Sequence, residues 1–184
     1  MLQDLPELIY PLRFARTRYD LCGHIALAGM HRLRPLLAAE GGDARIELRF
    51  GPDDLGRPSI RGLVRAELNL VCQRCLRSML FSAESNVRLN MISSDKEEIG
   101  SLAEYISPGF EPLVVIEDEA MVLSDIIEDE LLLALPAIPR HSDGVCEIEE
   151  RYSVREPVEH NRKKPFAVLE NLMEWKGRME QSNN

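Results

Sequence analysis

Two cysteines, Cys72 and Cys75, stand in the stretch V-C-Q-R-C-L-R. That spacing serves as half of a zinc site or as a dithiol redox pair. A zinc site needs a second half, and P-R-H-S-D-G-V-C-E offers one. It carries His141 and Cys146, with four residues between them in a turn-forming S-D-G setting. Cys72, Cys75, His141 and Cys146 would make a tetrahedral Cys3His site, closed to water and therefore structural rather than catalytic. The first half has knuckle spacing; the second does not, and 65 residues lie between Cys75 and His141. Asp143 could take the place of His141. The alternative is a free dithiol beside unrelated loop residues. Arg74 and Arg77 would lower a thiol pKa and keep a redox-sensing reading open. Thioredoxin-like pairs, however, open a helix in a βαβ setting, and this pair lies between two strand-like runs. Cys22, with His24 nearby, reads as a core residue of a strand.

No other stretch carries catalytic spacing. There is no G-x-S-x-G, no phosphate-binding P-loop and no G-x-G-x-x-G, so the chain is expected not to be an enzyme. The E-D-E runs at 117–119 and 128–130 are acidic, and at helical spacing Glu128 and Asp129 read as solvated. A second use remains: Glu128, Asp129 and Glu130 could grip a basic protein partner by charge complementarity.

Charge is segregated. Residues 1–77 carry 12 Arg and no Lys against 9 acids, while the remainder carries 10 basic and 22 acidic residues, for a net charge of -9. A uniformly acidic chain would be repelled by nucleic acid. Here Arg45, Arg49, Arg61, Arg65, Arg74 and Arg77 are candidate RNA-binding residues. Strand residues of equal parity share a face, so Arg45 points with Arg49 and Arg61 with Arg65. If the two strands pair, these arginines form one basic patch beside the CxxC tip. The alternative is that they are merely solvated.

The elements that must position these groups follow from periodicity. Residues 44–50 alternate strictly, with Ile46, Leu48 and Phe50 inward and Arg45, Glu47 and Arg49 outward. Residues 60–72 place Val64, Ala66, Leu68 and Leu70 on one side and run into Cys72. Residues 80–92 alternate again through Phe81, Ala83, Val87, Leu89 and Met91, giving a hairpin with the CxxC at its tip. Residues 18–27 read as another strand and E-P-L-V-V-I as a short one. M-H-R-L-R-P-L-L-A-A-E, closed by Gly41 and Gly42, reads as a short helix. L-S-D-I-I-E-D-E-L-L-L-A-L-P reads as a helix capped by Ser124, with Leu123, Ile126, Ile127, Leu131 and Ala134 as its core stripe. Residues 93–109 read as a mobile loop, and K-P-F-A-V-L-E-N-L-M-E-W as a terminal helix entered at a proline.

These elements predict an α+β domain: an antiparallel β-sheet meander or partial barrel with a few packed helices. The expected division is a core at 1–139 that includes the CxxC hairpin, then a flexible, loop-rich region at 140–184 with the terminal helix. No run approaches the ~20 apolar residues of a membrane span, and the N-terminus lacks the pattern of a secretory signal. The expected setting is the cytoplasm, with reduced thiols.

Four stretches, in order, resemble one family: V-C-Q-R-C, Y-I-S-P-G-F-E-P-L-V-V, I-I-E-D-E-L-L-L-A-L-P-A-I-P-R-H, and, after C-E, K-P-F-A-V-L-E-N-L. Together they resemble the YceD family, the large ribosomal RNA subunit accumulation proteins. The resemblance implies a bacterial, cytosolic, non-enzymatic protein supporting synthesis or accumulation of large-subunit (23S) ribosomal RNA, with zinc and nucleic acid as candidate ligands. It carries over to Cys72, Cys75 and Cys146, with His141 as a companion, and points to no catalytic residue. Two mechanisms follow. Either the arginine face contacts RNA, or the acidic half binds a basic ribosomal protein or assembly factor and acts on RNA indirectly.

Overall fold

The computed structural model describes residues 5–39, 41–94, 106–142 and 144–146. The chain divides into two compact units, Met1–Ile148 and Glu149–Asn184. The second unit lies outside the described residues, and with it the expected terminal helix; most of the loop expected at 93–109, and Asp143, lie outside them too. The first unit runs β1 (Leu8–Ile9), α1 (Pro11–Thr17), β2 (Asp20–Ala26), β3 (Asp43–Pro52), β4 (Pro58–Val71), β5 (Ser78–Ser93), β6 (Glu111–Val115), β7 (Met121–Val122) and α2 (Leu123–Ala134). Strands β2 to β6 form one open sheet in sequence order, and β1 pairs with β7. This is the expected α+β class. The meander is antiparallel from β2 to β5, but β6 lies parallel to β5.

Alternation builds the sheet. In β3, Ala44, Ile46, Leu48 and Phe50 are buried, while Arg45, Glu47 and Arg49 are exposed. Strand β4 buries Ile60, Val64, Ala66, Leu68 and Leu70, and β5 buries Ala83, Val87, Leu89 and Met91. Ile127 and Leu131 of α2 join the same core, as does Ala15 of α1. Each fully buried Leu or Ile contributes about 1.5–3 kcal/mol of transfer free energy. Pairing is unusually close at Gly62, where an added Cβ would fall 2.0 Å from the Glu47 carbonyl oxygen, so no larger residue fits without moving the β3 main chain.

Three expectations are corrected. The helix expected after Met30 is absent, replaced by short 3-10 turns at Leu27–Gly29 and Arg34–Leu36. Pro35 supplies no N–H and crowds the preceding turn. Beyond it the chain extends, Ala38 donates to the Asn69 carbonyl at 2.6 Å, and Leu37 bridges Leu70. Ser124 is not a cap: α2 begins at Leu123, after Val122, which puts Ser124 inside the first turn, and no side chain caps it. Cys22 is in a strand as expected but exposed, because it shares the outward parity of Asp20 and His24 while Leu21 and Gly23 face inward.

One end of the outer sheet face is closed by a polar latch. Asn90 has outward parity yet is fully buried. Its amide donates to Asp53 Oδ2 at 2.9 Å and its Oδ1 accepts the Ser107 N–H at 2.8 Å. The Ser107 hydroxyl also donates to Asp53 Oδ2. Asp53 Oδ1 accepts the N–H groups of Leu55 at 2.9 Å and Arg57 at 2.8 Å. Burial alone would raise the Asp53 pKa; the hydrogen bonds from Ser107, Arg57, Asn90 and Leu55 outweigh it and hold the carboxyl at about 2, below its ordinary 3.8. A depressed carboxyl stabilises the fold above its unfolded pKa and loses that contribution as pH falls through the folded one. Asp53→Asn is therefore expected to destabilise the protein at pH 7. Its deficit against wild type, read from urea midpoints, should shrink as pH falls from 3.8 toward about 2. A deficit that stays constant across that window would contradict the ionised latch.

Candidate metal centre and nucleic-acid interface

The β4–β5 connection is a tight knuckle. Cys72 N–H donates to the Arg77 carbonyl at 2.9 Å, and Leu76 N–H donates to the Cys72 carbonyl at 2.9 Å. To close the turn, Leu76 adopts φ 59°, a left-handed conformation that costs a non-glycine residue about 1–2 kcal/mol. The segment after α2 docks on this knuckle: Gln73 N–H donates to the Pro139 carbonyl at 2.9 Å. The docking brings His141 and Cys146 to Cys72 and Cys75, and the four ligand atoms lie within 4.8 Å of one another.

The cluster's dimensions suit one tetrahedral ion. Bonds of about 2.3 Å to sulfur place two thiolates about 3.8 Å apart. Cys72 and Cys146 Sγ are 3.7 Å apart, and Cys75 Sγ is 3.4 Å from His141 Nδ1. The other ring nitrogen, Nε2, lies 3.2 Å from the Ser78 carbonyl. A carbonyl only accepts, so Nε2 carries the proton and Nδ1 presents its lone pair to the sulfurs, as in metal sites whose second nitrogen is tethered. Burial opposes ionisation of Cys72, but hydrogen bonds headed by the N–H groups of Cys75, His141 and Arg74 outweigh it and lower the thiol pKa to about 5. Burial, with Cys75 and Cys72 beside it, pushes Cys146 up to about 11. One thiolate therefore forms readily and disfavours the next, a repulsion that a divalent cation relieves. The four residues could hold a metal. The sequence expectation named all four, and the structure brings them together.

The arginines separate into two places. Arg74 and Arg77 are exposed at the knuckle. Arg45, Arg49, Arg61 and Arg65 lie on the outer sheet face, and Arg65 is six residues before the end of β4, about 20 Å along the strand. They do not form a single patch at the tip. Register sets Arg45 opposite Arg65 and Arg49 opposite Arg61, and Arg61 is in turn opposite Arg88 of β5. Like charges directly opposite one another destabilise a sheet. Arg45 is offset by Glu47 at 2.8 Å and Arg65 by Glu84 at 2.7 Å. Arg61 reaches Asp54 only at 3.4 Å and lies over the Phe110 ring, 5.1 Å from its centroid. Asp20 is Arg49's neighbour on β2, but neither Arg49 nor Arg88 makes an ion pair among the described residues. The least compensated positive charge thus lies in the row Arg49–Arg61–Arg88, three guanidinium groups with one ion-pair contact among the described residues, to Asp54.

A family model described as large ribosomal RNA subunit accumulation protein YceD matches residues 60–173. The chain belongs to the YceD family. A Haemophilus influenzae relative named large ribosomal RNA subunit accumulation protein YceD is 29% identical over 171 residues, covering 91% of this chain and 95% of the relative. No solved structure matches the chain. The YceD match spans β4, the knuckle, the latch residues Asn90 and Ser107, and α2; β2 and β3 precede it.

The acidic run of α2 departs from expectation. Glu128 is buried rather than solvated. Its Oε1 accepts the N–H groups of Arg32 at 2.6 Å and Leu33 at 2.9 Å, and its Oε2 accepts Arg32 Nε at 3.1 Å. Burial opposes the charge, yet these bonds and the Arg32 guanidinium hold the Glu128 carboxyl below its usual range. Glu130 is also buried, its Oε2 accepting the Ser85 hydroxyl at 2.5 Å; burial, with Glu111 and Asp129 nearby, raises its pKa. Of the three, Asp129 alone is exposed, and it pairs with Arg32 at 2.5 Å. Sequence reasoning missed Arg88, Phe110 and the Asp53 latch. The outward parity of Arg88 between Val87 and Leu89 was the available signal for the first.

No helix among the described residues is long and apolar enough to cross a membrane.

Proposed function

We propose that this chain supports accumulation of large-subunit ribosomal RNA as a cytoplasmic, non-enzymatic factor. In this reading it contacts RNA with its outer sheet face and carries zinc at Cys72, Cys75, His141 and Cys146. The zinc, when bound, supplies no reaction; its closed ligand set fastens His141 and Cys146 to the β4–β5 tip. The observation that supports RNA contact is the in-register arginine row Arg49–Arg61–Arg88. A row of like charges opposes folding, which makes sense where an anion completes it. Guanidinium groups bind phosphate oxygens bidentately. The net charge of -9 does not preclude this, because the outer face, although it also carries Glu47 and Glu84, pairs these with Arg45 and Arg65 and leaves the Arg49–Arg61–Arg88 row with only a 3.4 Å contact to Asp54 among the described residues.

The test is salt-dependent binding of pure protein to large-subunit RNA fragments by fluorescence anisotropy. Changing Arg61 and Arg65 together to Ser is expected to weaken binding and reduce the slope of log K against log salt by about 1.4. No affinity even at low salt would defeat the reading. Association with ribosomal particles that resists RNase and is lost on changing Asp129 would instead favour a basic protein partner.

A further inference from the structure

Resting on that RNA-contact reading, we infer that the latched end of the outer sheet face is a nucleotide subsite for single-stranded RNA. In it, Phe110 and Arg61 offer a stacking surface to one base, and Arg49 and Arg88 hold the flanking phosphates.

Four observations converge there. Aromatic residues are only 5% of this chain, yet one stands at the end of the sheet face where positive charge is least compensated. Phe110 is half-buried and already stacked against the Arg61 guanidinium. The turn before it lies against Arg88: Gly109 has φ +77°, and a Cβ there would sit 3.8 Å from Arg88 Nη1. The third observation is rigidity. Phe110 N–H donates to the Ser107 carbonyl at 3.0 Å, and Ser107 is fixed through Asn90 to Asp53. The ring is thus held before any ligand arrives, which reduces the ordering cost of binding. Fourth, Arg61 keeps accessible donors for a ligand, since its Nη2 reaches Asp54 only at 3.4 Å and its side chain is 40% exposed. The next row along the strands, Glu47–Leu63–Asn86, brings an apolar side chain and an amide that can read a base edge.

The chemistry selects a single strand. A base stacks on a side chain only when it is not already stacked on its neighbours, and A-form duplexes hide their bases in a deep, narrow groove. Aromatic faces combined with an arginine track are the recurring solution for unpaired strands.

The experiment uses the full chain and compares a labelled single-stranded RNA oligonucleotide with the blunt duplex of the same sequence. Phe110→Leu keeps the apolar packing and removes the stacking ring. It is expected to weaken single-strand binding by about 5- to 150-fold, to leave the salt slope unchanged and to leave duplex binding unaffected. Arg88→Gln is expected to lower the single-strand slope by about 0.7, and Phe110→Tyr to retain wild-type affinity. Wild-type affinity in Phe110→Leu, or an equal loss on single strand and duplex, overturns the subsite. If the Arg61 and Arg65 double variant still loses RNA in that case, the broader RNA reading survives alone. A wild-type protein that binds neither oligonucleotide overturns both.

Discussion

Replacing Cys72 with serine is expected to abolish metal binding and to lower the melting temperature by more than about 10 °C, since ~1 kcal/mol shifts a chain of this size by only a few degrees. The argument starts from burial. Cys72 is fully buried and Cys146 nearly so. Serine in place of Cys72 removes the thiolate that three N–H groups are arranged to stabilise and leaves their hydrogen bonds to a poorer acceptor. The remaining Cys75, His141 and Cys146 form an incomplete set. With the ion gone, the Gln73–Pro139 bond and the His141 contacts to Ser78 and Cys75 remain to tie the segment after α2 to the knuckle in the described hydrogen bonding. Reduced wild-type protein should contain about one zinc per chain by elemental analysis, and a chelator should reproduce the destabilisation. Cys22→Ser is the control, because Cys22 is exposed on β2 and shares no contact with the cluster. Metal-free wild type whose melting temperature ignores chelator would end the zinc assignment.

The knuckle was legible because its information is local. C-x-x-C between two alternating runs places two thiols at a hairpin tip whatever the rest of the chain does. His141 and Cys146 were legible only as residue types. Their approach depends on α2 ending at Ala134 and on the segment beyond it returning to the tip, and no periodicity encodes that path. Strands β3 to β5 were legible for the same local reason, since one buried face imposes period two. Direction is invisible to that period, and so the parallel pairing of β6 was not anticipated. Asp53 was hidden differently. In G-P-D-D-L-G-R-P an aspartate that caps an exposed turn and one that anchors a buried latch have the same spelling; the difference is Ser107, 54 positions away.

The latch and the knuckle lie at opposite ends of β4, one near Pro58 and the other after Val71. Between them runs the arginine-bearing face. The two polar constructions therefore do different jobs on the same sheet. The proposed metal closes the tip, and Asp53 fixes the aromatic turn at the other end. A variant of either should spare the geometry of the other, so additive stability losses in a Cys72 and Asp53 double variant are the natural consequence of their separation.

Glu128→Ala is expected to cost about 1–3 kcal/mol, the usual penalty for leaving buried hydrogen-bond donors without an acceptor. The carboxylate serves two backbone donors and a guanidinium at once. Truncating it strands the N–H groups of Arg32 and Leu33 beneath α2, where water does not readily replace the lost acceptor. That region has no α-helix of its own to satisfy them, because Pro35 prevents one. Glu128 thus acts as a distant cap for the turn that begins at His31, 96 positions earlier in the chain for its Arg32 bond. Its helical neighbours Ile127 and Leu131 form the core stripe, and a glutamate at the stripe's edge gave no sign of burial. Glu128→Gln keeps one oxygen for the two N–H groups but turns an amide toward Arg32, so its loss should be smaller. The sign with pH is definite. A carboxyl held below its unfolded value of 4.5 stabilises above that pH and ceases to do so as pH falls through its lower folded value. The gap between wild type and Glu128→Gln, measured as urea midpoints, should be full at pH 7 and close under acid. Asp129→Asn, which removes only an exposed partner of Arg32, should cost less than about 1 kcal/mol. Equal losses for Glu128→Ala and Asp129→Asn would show that α2 is held by its apolar stripe alone and that the buried carboxylate is incidental.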